Sequence, residues 1–146
     1  MAQAALKRTR IDVGDLELFR GTSYCVNPRQ VNPFYVYRDA LKNFREVGKD
    51  AKGICISRMH PNELRSVYGI ENSYWLSTIP NERHFDPAGV SQVSILLMTA
   101  LADDHEVALL DGVEHMSEFN DPHKVYELVS HVQEVVAENG KILIVP

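Results

Sequence analysis

Two acids three positions apart carry the best prospect of chemistry: Asp111 and Glu114 in VALLDGVEHM, where an apolar run ends and Gly112 follows. At a strand end an aspartate can hold magnesium through water, and a nearby glutamate can orient a nucleophilic water for phosphoryl transfer. The plainer reading makes Asp111 and Gly112 the turn that leaves the strand, with Glu114 exposed. The remaining machinery decides between them. A P-loop hydrolase needs backbone amides wrapped around phosphates, a lysine on their terminal oxygens and a hydroxyl on the metal, and GxxxxGK[ST] is absent. The segment VNPRQVNPFYVYRDALKNF has no glycine, and Pro28 and Pro33 remove amide donors from it. It is a poor phosphate cradle, and Arg29 and Lys42 within it read as solvated surface cations.

Other constellations promise less. Cys25 and Cys55 sit in apolar segments without CxxC spacing, which predicts buried, reduced thiols and no disulfide. Ser57 and Ser77 lack the glycine-flanked elbow of serine hydrolases. His123 and His131 are eight residues apart on one predicted helix, about 12 Å along its axis, too far to share one ion. Asp103, Asp104, His105 and Glu106 read as a solvated polar bridge between helix and strand. No metal site and no cofactor is predicted. Tyr74 and Trp75 alternate across a strand, so at least one is expected in the core.

The elements that must position these residues are legible as apolar runs. TSYCV, GICIS, SYWLS, Glu106 to Leu110 and Ile142 to Val145 have the length and composition of strands. Phe34, Tyr37, Leu41, Phe44 and Val47 recur at helical steps, and Gly48 supplies a stop. Pro61 opens a short helix to Tyr68, ended by Gly69. Asp86 and Pro87 look like an N-cap and first turn of a helix to Ala102. A last helix opens at Asp121 and Pro122, turns Val125, Leu128, Val129, Val132 and Val136 inward, and stops near Asn139 and Gly140. Strands alternating with helices predict an α/β fold of three layers: a mainly parallel sheet of about five strands with helices on both faces. Residues 21–146 form the single domain, and residues 1–20 an arm or extra edge element.

Composition narrows the partners. A chain of 146 residues supports one core. A net charge of -5 gives no global attraction to nucleic acid, whose binding normally draws on a basic face. No apolar run approaches the ~20 residues of a membrane span, and MAQAALKRTR is not followed by a secretory apolar segment. The expectation is a cytoplasmic protein that binds neither nucleic acid nor membrane.

GTSYCV, ISRMHP, YWLST, DPAGV, ALLDGVEHM and VAENGKILIVP stand in the order and approximate spacing of the archaeal family called domain of unknown function 835, which the chain resembles over residues 20–146. The resemblance implies a regulatory or signalling module beside sensor and receiver domains. The architecture is in turn similar to RecA and KaiC-type ATPases, with VALLDG at their magnesium-facing strand. In the KaiC-type pattern catalytic glutamates follow the strand that GICIS resembles; here Ser57, Arg58 and Met59 follow it. Arg58 is therefore a candidate anion contact or ion-pair partner of Asp111, the plainer reading being a surface arginine. The leading expectation is a non-catalytic signalling domain with a degenerate ATPase fold, in which Arg58, Asp111, Gly112 and Glu114 mark a ligand or effector edge offered to a protein partner. The alternatives are a divergent hydrolase that binds a nucleotide with magnesium through Asp111 and Glu114, and a homo-oligomeric module joined by apolar strand edges.

Overall fold

The computed structural model describes residues 10–13, 16–46 and 51–146. Strands β1 (Arg10–Val13) and β2 (Leu16–Phe19) pair antiparallel in a small sheet of their own. The main sheet follows: β3 (Thr22–Cys25), helix α1 (Pro33–Glu46), β4 (Lys52–Ser57), α2 (Pro61–Tyr68), β5 (Ser73–Leu76), β6 (His84–Phe85), α3 (Val90–Ala102), β7 (His105–Leu110), α4 (Val113–Phe119), α5 (Pro122–Asn139) and β8 (Ile142–Val145). All six of its strands run parallel, in the order β3-β8-β7-β4-β5-β6. The five strands expected from sequence are present. The sixth, β6, has only two residues and gives no periodic signal.

Alternation along the strands builds two cores. Cys55, Val107, Leu109, Ile142 and Ile144 face α1 and α2, whose Tyr37, Leu41, Phe44 and Leu64 cover them. Ile54, Ile56, Ala108, Leu110 and Leu143 face α3, α4 and α5 through Leu97, Met116, Leu128 and Val132. Each large side chain buried this way contributes roughly 1.5–3 kcal/mol. The connections β3 to β4 and β4 to β5 advance across the sheet with helices on the first face. Those from β6 to β7 and β7 to β8 return with helices on the second. Right-handed crossovers require that division. The small hairpin adds Leu18 to the first core.

Local chemistry sets the helix ends. His60 caps α2 by accepting from the Asn62 amide at 3.0 Å, Pro61 stands at its start, and Gly69 closes it at φ 73°. Asp121 caps α5 through the His123 amide, and Gly140 ends it at φ 66°. The inward face of α5 is as predicted, with Val129 half-buried. Asp86 does not open α3. Its carboxylate accepts from the Ala88 amide and its carbonyl from Gly89, a local turn that delays the helix to Val90. Val47 and Gly48 lie outside the described residues.

Three burial expectations are corrected. Cys25 is exposed, because β3 is an edge strand and Cys25 is its last residue, while Cys55 is buried. Tyr74 and Trp75 are both half-buried: Tyr74 packs on Phe85 under Arg83, and the Trp75 indole donates to the Arg58 carbonyl. Glu106 is buried rather than solvated, paired with buried Lys141 at 3.1 Å and reached by Arg20 at 3.9 Å. Lys141 also donates to the Asp103 carbonyl, and Arg20 to that of Gly140. Asp104 pairs with Lys52 at 2.8 Å and with His105 at 2.9 Å.

Candidate functional site

The chain leaves β4 toward α2 on one face and leaves β7 toward α4 on the other. These strands are neighbours, so a crevice opens between their carboxyl ends, the place where open α/β sheets gather ligands. Ile56 lies opposite Leu110 in the ladder, and one step further Ser57 meets Asp111. The Ser57 hydroxyl donates to Asp111 Oδ2 at 2.7 Å and accepts from the Met59 amide at 3.0 Å. The Asp111 amide continues the ladder to the Ile56 carbonyl at 2.8 Å. The carboxylate is thereby tied across the two strands that define the crevice. By its sequence setting Ser57 is only a poor nucleophile; this role depends on register, which no local pattern reveals.

Arg58, Asp111, Gly112 and Glu114 are brought together, lining one cavity of about 190 Å³ with Pro28, Val113, His115 and Pro146. Gly112 adopts φ 129°, and a Cβ there would stand 2.7 Å from Leu76 Cδ2 and 3.4 Å from Arg58 Cγ. A side chain is thus excluded, and the Arg58 stem lies over the turn in its place. The candidate ion pair is not made, and the plainer reading of Arg58 as an exposed arginine fits: among the described residues none joins Arg58 to Asp111, and Ser57 takes one carboxylate oxygen instead. Glu114 projects, exposed, from the first turn of α4. His115, adjacent to Glu114 in sequence, stands on the same wall, although the seven residues of α4 are too few for a period that would show which way it faces. Its Nδ1 is sealed from solvent without a hydrogen bond, yet stands 3.4 Å from Glu118. At that separation the pair is close but poorly aligned for a hydrogen bond.

The loop from β3 to α1 borders the same crevice. Asn27 Oδ1 accepts from the Arg29 amide, the Asn27 carbonyl from Gln30 and Val31, and Asn32 Oδ1 from Phe34. Pro28 and Pro33 have no amide hydrogen. Six of the eight residues from 27 to 34 therefore have no main-chain donor free for an anion.

The remaining candidates are scattered. His123 pairs with Glu127 at 3.1 Å on α5, and His131 lines a separate groove with Ile95 of α3. Cys55 lies beneath the crevice, where burial, reinforced by the charge of Asp111, pushes its thiol far above the ordinary range and keeps it protonated. It is a packed side chain.

These features define a doubly wound α/β domain whose acid-bearing strand ends at the switch point. The family described as protein of unknown function (DUF835) matches residues 35–146, and the chain belongs to it. Comparison with curated proteins gives no match. No described helix is long and apolar enough to cross a membrane.

Proposed function

We propose that this is a non-catalytic regulatory domain of signal transduction, a degenerate RecA or KaiC-like ATPase fold whose old ligand edge serves a protein partner. The observation that carries the reading is that, of the six main-chain donors from 27 to 34, four are committed to their own loop, the remaining two of the eight positions being prolines. A triphosphate needs those amides turned outward together. Two further features agree with it. The crevice cavity, about 190 Å³, is smaller than the ~300 Å³ at which small-molecule pockets usually begin. The Arg58 guanidinium, exposed and without an ionic partner among the described residues, and exposed Glu114 offer a partner one charge of each sign. Two free thiols suit a cytoplasmic setting.

Phosphate release from ATP with magnesium, and calorimetric titration with the same nucleotide, test the proposal. No turnover and no saturable heat are expected. Hydrolysis that vanishes in Asp111→Asn would overturn the reading in favour of a divergent magnesium-dependent hydrolase using Asp111 and Glu114.

A further inference from the structure

A second cavity, of about 320 Å³, lies at the opposite end of the sheet, between α1 and the amino ends of β4, β5 and β7. Its apolar floor is Leu41 and Ile70, with the Tyr37 ring beside them. Gly53 makes room for that ring: a Cβ at 53 would collide with the Tyr37 hydroxyl and stand 2.6 Å from Leu41 Cδ1. Tyr37 is only 1% exposed, and its hydroxyl has no hydrogen-bond partner among the described residues. The oxygen is not sealed off: it opens onto the cavity, where water or the polar group of a ligand can pair with it. Burial pushes this phenol well above its ordinary range, Cys55 adds to the effect and Arg45 opposes it. The group is a neutral donor that feels the Arg45 charge.

Three cations and one acid stand around the rim. Arg38 leans on Asp39 at 3.2 Å, Lys52 on Asp104 at 2.8 Å, and Glu71 on Arg65 at 3.3 Å. Arg45 has no acidic partner among the described residues; its Nε donates to the Ala51 carbonyl. The far wall is fixed by Asn72, which donates to the Gly53 carbonyl at 2.7 Å and accepts from Arg83 at 2.6 Å. A rigid wall, an apolar floor, an unpaired hydroxyl and one positive charge without an acidic partner among the described residues together select a ligand class. We propose that this cavity binds a small organic carboxylate with an apolar body, its anion held by Tyr37 and Arg45 and its body on Leu41 and Ile70. The site is independent of the switch-point reading, from which the full sheet separates it.

The test titrates the ¹⁵N-labelled chain with benzoate, with benzylammonium as an isostere of opposite charge, and with inorganic phosphate as an anion lacking an apolar body. Benzoate should give saturable amide shifts centred on Gly53, Ile70 and Asn72, with an affinity about ten-fold or more above that of either comparator. Tyr37→Phe and Arg45→Met should each weaken benzoate by about ten-fold or more. Without ligand, Tyr37→Phe should melt no lower than the parent, which separates a binding role from a structural one. Equal binding of benzoate and benzylammonium, phosphate binding as tight as benzoate, shifts centred elsewhere, or no saturation by benzoate would each overturn the proposal. So would full benzoate affinity in Tyr37→Phe, a variant that keeps the ring and its packing.

Discussion

Asp111 illustrates how one neighbour changes the meaning of a side chain. By type and position it could organise a cation, yet the Ser57 hydroxyl already occupies one of its oxygens, and the same hydroxyl also satisfies the Met59 amide. Removing it leaves an amide and a half-buried carboxylate each short of a partner. Ser57→Ala should therefore cost about 1–3 kcal/mol, read as a lowered urea midpoint with unchanged slope. An unchanged midpoint would mean that water replaces the hydroxyl without loss. The sequence displayed Asp111, Gly112, Glu114 and Arg58 as a cluster because three of them are consecutive or nearly so and the fourth follows a recognisable strand. Ser57 was illegible in its role, since the pairing spans 54 positions and depends on β4 and β7 being neighbours.

Elements show the same division between local and distant causes. The helices α1, α2 and α5 announce themselves by spacing and by caps that act within a few residues. By contrast, α4 and β6 are too short to have a period and exist because the sheet and α5 hold them. The second residue of β7 is an acid whose surroundings come from the residue before β8 and from the turn before β3: Lys141 and Arg20 converge on Glu106. Deleting the lysine removes the shortest charge contact of a buried acid, and Arg20 at 3.9 Å replaces only part of it. Lys141→Met should cost about 3–5 kcal/mol, and adding Glu106→Gln should recover much of that. Denaturation of the single and double variants checks it; a double variant no better than Lys141→Met would show that the charge on Glu106 is not what the lysine serves.

At the scale of the molecule, the two ends of the sheet are secured by different chemistry. The amino end carries ion pairs and the carboxyl end hydrogen bonds and turns. The hydrogen bond from Lys52 holds the Asp104 carboxyl below its ordinary value; desolvation opposes it, and the lysine charge and His105 add to the lowering. A carboxyl lowered in the folded state adds stability above the ordinary value near 3.9 and loses it as pH falls through the folded value. The parent should exceed Lys52→Met in stability at neutral pH, and the gap should close on acidification. A gap constant with pH would assign the effect to the lysine stem instead. The strand order itself could not be read from the chain, because apolar runs state that strands exist while the crossovers decide which become neighbours. Those crossovers put Ser57 beside Asp111, and the juxtaposition has a consequence for selectivity. A newcomer that needs Asp111 Oδ2 must displace a resident charge-assisted bond worth about 1.5–3 kcal/mol, whereas one content with Oδ1 need not. That displacement alone would weaken the apparent dissociation constant of a bidentate occupant by roughly ten- to a hundred-fold, so the juxtaposition favours one-oxygen contacts over chelation by both.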